Sequence, residues 1–204
     1  MEILVVRHGE SLGDIEQRHE GRADLPLTEK GIEQALLAAK WIQHNYPPTK
    51  IITSPLQRAS KTAAIISSEA TGVPVQTSEE LMEWNNGLLA GMLRSESAIM
   101  YPLPEGGRKA HDTFYECESA IAFRSRAEHF WSKLLDSNLN NNNERVCLVS
   151  HGGMINMLYR CFLNLPIITE VNIRTGDTGI HLWEVDGKER IVTFSNYLGH
   201  LDNK

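Results

Sequence analysis

The 204-residue sequence predicts an α/β protein: a three-layer α/β/α sandwich with a mostly parallel central sheet and a small loop/helix excursion over the site. Three observations carry that prediction. Short, continuously apolar runs have the length of strands buried on both faces. Longer segments with apolar residues three and four apart alternate with them. Several of the short runs end in basic or hydroxyl residues beside glycine, as strands do where a sheet opens onto a site.

Taken in order, "EILVV" at residues 2–6 is the first strand, and it ends in Arg7-His8-Gly9. "LTEKGIEQALLAAKWIQHNY" sets Ile32, Ala35, Leu36, Ala39 and Ile42 at helical spacing, with Thr28 as its cap and Pro47-Pro48 as its stop. "KIITS" is a second strand, ending in Ser54. The helix "LQRASKTAAIISSEA" follows, bringing Arg58 one turn on and stopping at Gly72. A further strand is expected just ahead of Glu83. Residues 88–112 then break the rhythm. "MYPLPEGGRKAHD" is rich in Pro and Gly without a period, and reads as an excursion covering the rim, a cap or lid on a single domain spanning 1–204. "SAIAFRSRAEHFWSKLLD" is a third helix, and "NLNNNN" at 138–143 an exposed loop. "RVCLVS" is a third strand, running into His151-Gly152-Gly153, and "GMINMLYRCFL" a fourth helix. "TGIHLWEV" and "RIVTFSNY" are late strands around the turn "DGK".

The bulk numbers narrow the function. With 26 acidic against 20 basic residues the net charge is −6, which argues against nucleic acid and anionic membranes as partners. Three cysteines without a CxxC pair read as reduced thiols. No leader pattern and no apolar run of membrane-spanning length is present, so a cytoplasmic location is expected. Whether the chain forms a homodimer is left open.

The strand ends converge on one chemistry. Arg7, His8, Arg58 and His151 fall on the same rim of the predicted sheet. A phosphate monoester dianion needs fixed, forked cations, which arginine supplies. A neutral imidazole can attack phosphorus and become a phosphohistidine. Neighbouring guanidinium groups keep it neutral, and a second imidazole can steady charge on the phosphoryl oxygens. Gly9 and Gly152, beside the two histidines, are expected to let the backbone approach the phosphate. Glu83 in "LMEWNNGLLAG" is the candidate proton donor for the leaving alkoxide. The other histidines, at 19, 44, 111, 129, 181 and 200, are scattered, and no HxH or HExxH appears. No metal site and no cofactor are expected.

These motifs resemble those of the histidine phosphatase superfamily, the group that includes phosphoglycerate mutase, over nearly the whole chain. "RHGES" is similar to its RHG signature, "GRADLPLTEKGIEQA" to its G-x-x-D-x-x-L-T-x-x-G stretch, "SPLQRASKTA" to its second arginine segment, "EWNNGLLAG" to its glutamate segment and "VSHGG" to its second histidine motif. The resemblance implies an α/β fold and metal-free phosphoryl transfer, with His8 as nucleophile, Arg7 and Arg58 as clamps, His151 as their partner and Glu83 as proton donor. Asp14, Glu20, Gly21 and Arg22 fall where substrate contacts are expected. Three positions depart from the family's pattern. Asp14 stands for an Asn, Glu20 for a neutral polar residue, and Asp177 for an Asn before the late strand. Carboxylates facing a dianion repel it, so if Asp14 and Glu20 face the pocket, activity should favour acidic pH. The short excursion after Glu83, and Asn86 in place of a tyrosine, favour hydrolysis of a small phosphorylated metabolite. Mutase-type transfer and a non-catalytic phospho-ligand binding module are the alternatives.

Overall fold

The computed structural model describes residues 1–138 and 144–202. Its core is a six-stranded sheet. β1 (Glu2–Arg7), β2 (Lys50–Thr53), β3 (Val75–Thr77), β4 (Arg145–Ser150), β5 (Ile180–Asp186) and β6 (Glu189–Tyr197) lie in the order β3-β2-β4-β1-β5-β6. The β1–β4, β2–β4 and β2–β3 pairs are parallel, and β1–β5 and β5–β6 antiparallel. Only β5 therefore runs against the rest.

The pleat explains the layers. Ile3 and Val5 project to one face of β1, Leu4 and Val6 to the other, and all four are fully buried. Ile3, Val5, Val146 and Leu148 pack with Phe123, Phe130 and Trp131 of α5 (Ala120–Asn138) and with Met154, Leu158 and Phe162 of α6 (Gly152–Phe162). Leu4, Val6, Cys147 and Val149 pack with Ala38, Ala39 and Ile42 of α2 (Glu29–Asn45) and with Ala59, Ala63 and Ile66 of α3 (Gln57–Glu69). The small residues on α2 and α3 let those helices approach each other and the sheet closely. Thr28 caps α2 through a hydrogen bond from the Gly31 N–H, as its sequence position predicts.

Two elements depart from the expected string. α1 (Leu12–Ile15) is a single turn capped reciprocally by Ser11 and Asp14. α4 (Arg94–Met100) lies inside the 88–112 excursion, which is otherwise irregular. Both helices are too short to show a period. The excursion is stitched to residues 17–19 by backbone bonds: Gly91 N–H to the His19 carbonyl, His19 N–H to Met92 and Arg94 N–H to Gln17. The Asn-rich loop expected at 138–143 lies, past Asn138, outside the described residues. Among the described residues no helix is long and apolar enough to cross a membrane.

Candidate active site

Parallel pairing in register brings Arg7 opposite Ser150, so the carboxyl ends of β1 and β4 meet, with β2 alongside. His8 follows β1, Ser54 follows β2, and His151 is the N-cap of α6. The two imidazoles lie with ring centroids 5.0 Å apart at an edge-on 61°. Both are buried, as is Arg58.

Hydrogen bonds define the state of His8. Nδ1 lies 2.8 Å from the Gly9 carbonyl oxygen. A carbonyl can only accept, so Nδ1 carries the proton and Nε2 the lone pair. Arg58 Nε donates toward that Nε2 at 3.3 Å. Burial first, then the charges of Arg58 and Arg7, push the His8 pKa well below its usual value. The imidazole is neutral at pH 7, with its free nitrogen beside a cation.

His151 is fixed by Ser54. The Ser54 hydroxyl oxygen accepts the Leu56 N–H and lies 2.8 Å from His151 Nε2. Its hydrogen can therefore be given to that nitrogen, and in that arrangement a neutral His151 carries its proton on Nδ1. Burial, then the proximity of His8, Arg58 and Arg7, also hold His151 well below its usual pKa. It is therefore a neutral imidazole here rather than an imidazolium. Two buried polar atoms of this cluster, His151 Nδ1 and Arg7 Nε, have no partner among the described residues. Buried donors are normally satisfied, and phosphoryl oxygens would satisfy both.

The guanidiniums are held from behind. Arg58 donates to the Ala23 and Gly21 carbonyls, each at 2.8 Å, and meets Glu20 Oε1 at 3.2 Å. Arg7 donates to the Thr175 carbonyl at 3.0 Å and pairs with Asp14 at 3.0 Å and Asp177 at 3.1 Å. Asp14 and Glu20 thus do face the cations, joined by Asp177. Burial raises the pKa of both Glu20 and Asp177 despite the neighbouring arginines.

Glu83 sits at the α6 N-terminus. Gly153 N–H donates to its Oε2 at 2.8 Å and Trp84 N–H to its Oε1 at 2.8 Å. A Cβ on residue 153 would lie 2.4 Å from Glu83 Oε1, so the second glycine of "HGG" is required by the carboxylate. Sequence reasoning assigns no role to Gly153, Ser54 or Thr175. The doubled glycine and the Ser closing "KIITS" are the signals that point to the first two.

The glycines beside the two histidines have different surroundings. Gly9 N–H is taken by Thr62 Oγ1 at 3.3 Å, and a Cβ there would stand 2.3 Å from the Gly31 carbonyl oxygen. Gly9 serves the close approach of α2. At Gly152 a Cβ would meet only Arg7 Nε, at 4.0 Å. Gly21 contributes its carbonyl to Arg58. Arg22 is exposed and lines neither of the cavities at this rim, because the Gly21 and Ala23 carbonyls turn inward to Arg58. Among the described residues no three His, Cys, Asp or Glu side chains converge as metal ligands.

A cavity of about 450 Å3 opens at this rim, lined by Glu20, Gly21, Glu83, Trp84 and Gly153, with His19, Asn86 and Arg94 at its outer side. Fold and site together define a doubly wound α/β protein with a paired-histidine, paired-arginine anion site at its strand ends. Residues 3–197 match the model of the histidine phosphatase superfamily (branch 1), and the chain belongs to that superfamily. It is 33% identical over 180 residues to a "Probable phosphoglycerate mutase GpmB" of Yersinia pestis, covering 85% of this chain and 80% of that protein. An Entamoeba histolytica phosphoserine phosphatase has a similar structure: TM-score 0.79 and 25% identity, over 98% of each chain. The alpha-ribazole phosphatase of Shigella flexneri shares the fold with a TM-score of 0.82 at 22% identity, over 97% of each chain.

Proposed function

We propose that the chain is a metal-independent phosphomonoesterase that moves the phosphoryl group of a small phosphorylated metabolite onto His8 Nε2 and then to water. The observation that supports this most directly is His8 itself: buried, neutral, with its proton committed to the Gly9 carbonyl and its lone pair beside Arg58. In the first step an Nε2–P bond forms as the ester P–O bond breaks, and the leaving alkoxide takes a proton from Glu83. In the second, water attacks the phosphohistidine, Glu83 takes its proton, and inorganic phosphate leaves. Arg7, Arg58 and the His151 N–H hold the non-bridging oxygens through both steps.

The test is hydrolysis of p-nitrophenyl phosphate in excess chelator, with trapping of acid-labile phosphate from a labelled ester. Both are expected from the wild-type chain. His8→Ala should abolish the trapped phosphate and lower turnover by at least about a thousandfold. Full turnover by His8→Ala, or loss of wild-type turnover in chelator, would overturn the reading.

Phosphoglycerate mutase activity is a second reading, favoured by the 33% identity to the Yersinia protein. Efficient isomerisation of 3-phosphoglycerate with a trace of 2,3-bisphosphoglycerate, rather than release of free phosphate, would place it first.

A further inference from the structure

A second cavity, of about 520 Å3, adjoins the first. The two share His19, Asn86 and Arg94, so a molecule seated beside Glu83 in the first has room to extend past Asn86 into the second. Its walls come from the 88–112 excursion and the segment after it: Leu89, Tyr101, Leu103 and Tyr115. Its size and apolar walls suit a small organic body.

Charge gives the second half of the description. In a chain with six more acidic than basic residues, this cavity has Arg94 and Arg108 on its lining and no carboxylate. Neither guanidinium has an ion pair or side-chain hydrogen bond among the described residues. Arg108 is stacked over Trp84, with its Cζ 5.7 Å from the ring centroid, which orients it beside the residue that follows Glu83. The contrast with Arg7 and Arg58, each backed by carboxylates, is direct. Those two are already compensated by the protein, whereas Arg94 and Arg108 are not.

We propose that this cavity takes the leaving group of the phosphoester, and that the group is a ring-sized apolar body carrying a second anion, held by Arg94 and Arg108. The inference rests on the phosphatase reading for the placement of the phosphoryl end, and goes beyond it in assigning the other end. Guanidinium forks favour a carboxylate or phosphate as that second anion.

Binding separates this inference from the catalytic one. The His8→Ala chain, which should bind without turnover, is titrated calorimetrically with phenyl phosphate, 4-carboxyphenyl phosphate and phosphoglycolate. The expected order is 4-carboxyphenyl phosphate tightest, by at least tenfold over each of the others. Adding Arg94→Gln and Arg108→Gln should bring its Kd to that of phenyl phosphate. Equal affinity for the two aryl esters, or a preference that survives both substitutions, would overturn the anion assignment. Equal affinity for phosphoglycolate would overturn the apolar one. Should the wild-type chain hydrolyse none of the three while the binding order holds, the phosphatase reading and the leaving-group role fall together, and the assignment of the cavity to an apolar anion stands.

Discussion

Arg7 and Arg58 reach the site already engaged. Asp14, Asp177 and Glu20 supply three carboxylates to two guanidiniums, so an incoming dianion competes with the protein's own anions. At contact distances and intermediate dielectric each such repulsion is of the order of a few kcal/mol. Glu20 and Asp177 have pKa values raised by burial, so they take up protons before an ordinary carboxylate would. Protonation frees the arginines, and phosphate affinity should rise as pH falls. Glu20→Gln keeps the bonds to Ser11 and Arg58 but removes the charge. It should tighten inhibition by inorganic phosphate at pH 7 by several-fold and flatten the acidic rise in kcat/KM. An unchanged inhibition constant would show that Glu20 does not compete. At this scale the sequence was informative wherever a motif names a side chain: His8, His151, Arg7, Arg58 and Glu83 all lie at the rim. It was uninformative where function depends on a backbone group. Nothing in "RHGES" says that the Gly9 N–H goes to Thr62, or that the Gly9 carbonyl selects the His8 tautomer.

Among the elements, α5 does more than cover the sheet. Arg126, on this helix, donates to the carbonyls of Glu80, Met82 and Glu83 at 2.8, 2.6 and 3.2 Å. It also pairs with Glu118 at 2.8 Å, whose carboxylate accepts the Asn85 N–H at 2.6 Å. One guanidinium thereby sets the backbone that carries Glu83. Arg126 is a positioning residue for Glu83, and on the proposed mechanism its loss should be felt most where the leaving group needs a proton. Arg126→Met is expected to lower kcat/KM for alkyl phosphates at least tenfold and for p-nitrophenyl phosphate less than threefold. An equal loss on both would mean general damage to the fold. Helices α2, α3, α5 and α6 were legible because each runs long enough to repeat its apolar face. α1 and α4 have 4 and 7 residues and are held by caps and by contacts with distant segments, which no local pattern records. The Pro- and Gly-rich text of 101–112 goes with irregular chain, but the cavity it helps to wall depends also on the bonds that residues 91–94 make to residues 17–19.

For the molecule as a whole, acid should help the site and harm the fold. His181 and His200 are buried, and burial lowers each pKa from 6.5 to about 4. His181 Nδ1 accepts the Asn196 N–H at 3.2 Å, a bond that protonation would break. Between pH 6.5 and 4 the unfolded chain takes up protons that the folded chain refuses, so stability falls as pH falls through that window. Linkage gives about 2 kcal/mol lost for each of these imidazoles at pH 5. Thermal scans should therefore show Tm several degrees lower at pH 5 than at pH 7.5. A Tm that stays constant over that range would show that these imidazoles titrate in place. The practical optimum is set where rising phosphate affinity meets falling stability.

β1 precedes the other five strands in sequence, yet it lies between β4 and β5. Its partner Arg145 is 143 residues away from Glu2, and the Thr178 N–H that closes on the His8 carbonyl comes later still. β1 can take its place in the sheet only once the segment 143 residues further on is available to pair with it. Contacts so remote in sequence slow folding and leave aggregation-prone surface exposed meanwhile. The surroundings of His8 are thus assembled from segments far apart in sequence, and they are complete only when β4 and the turn before β5 have joined β1.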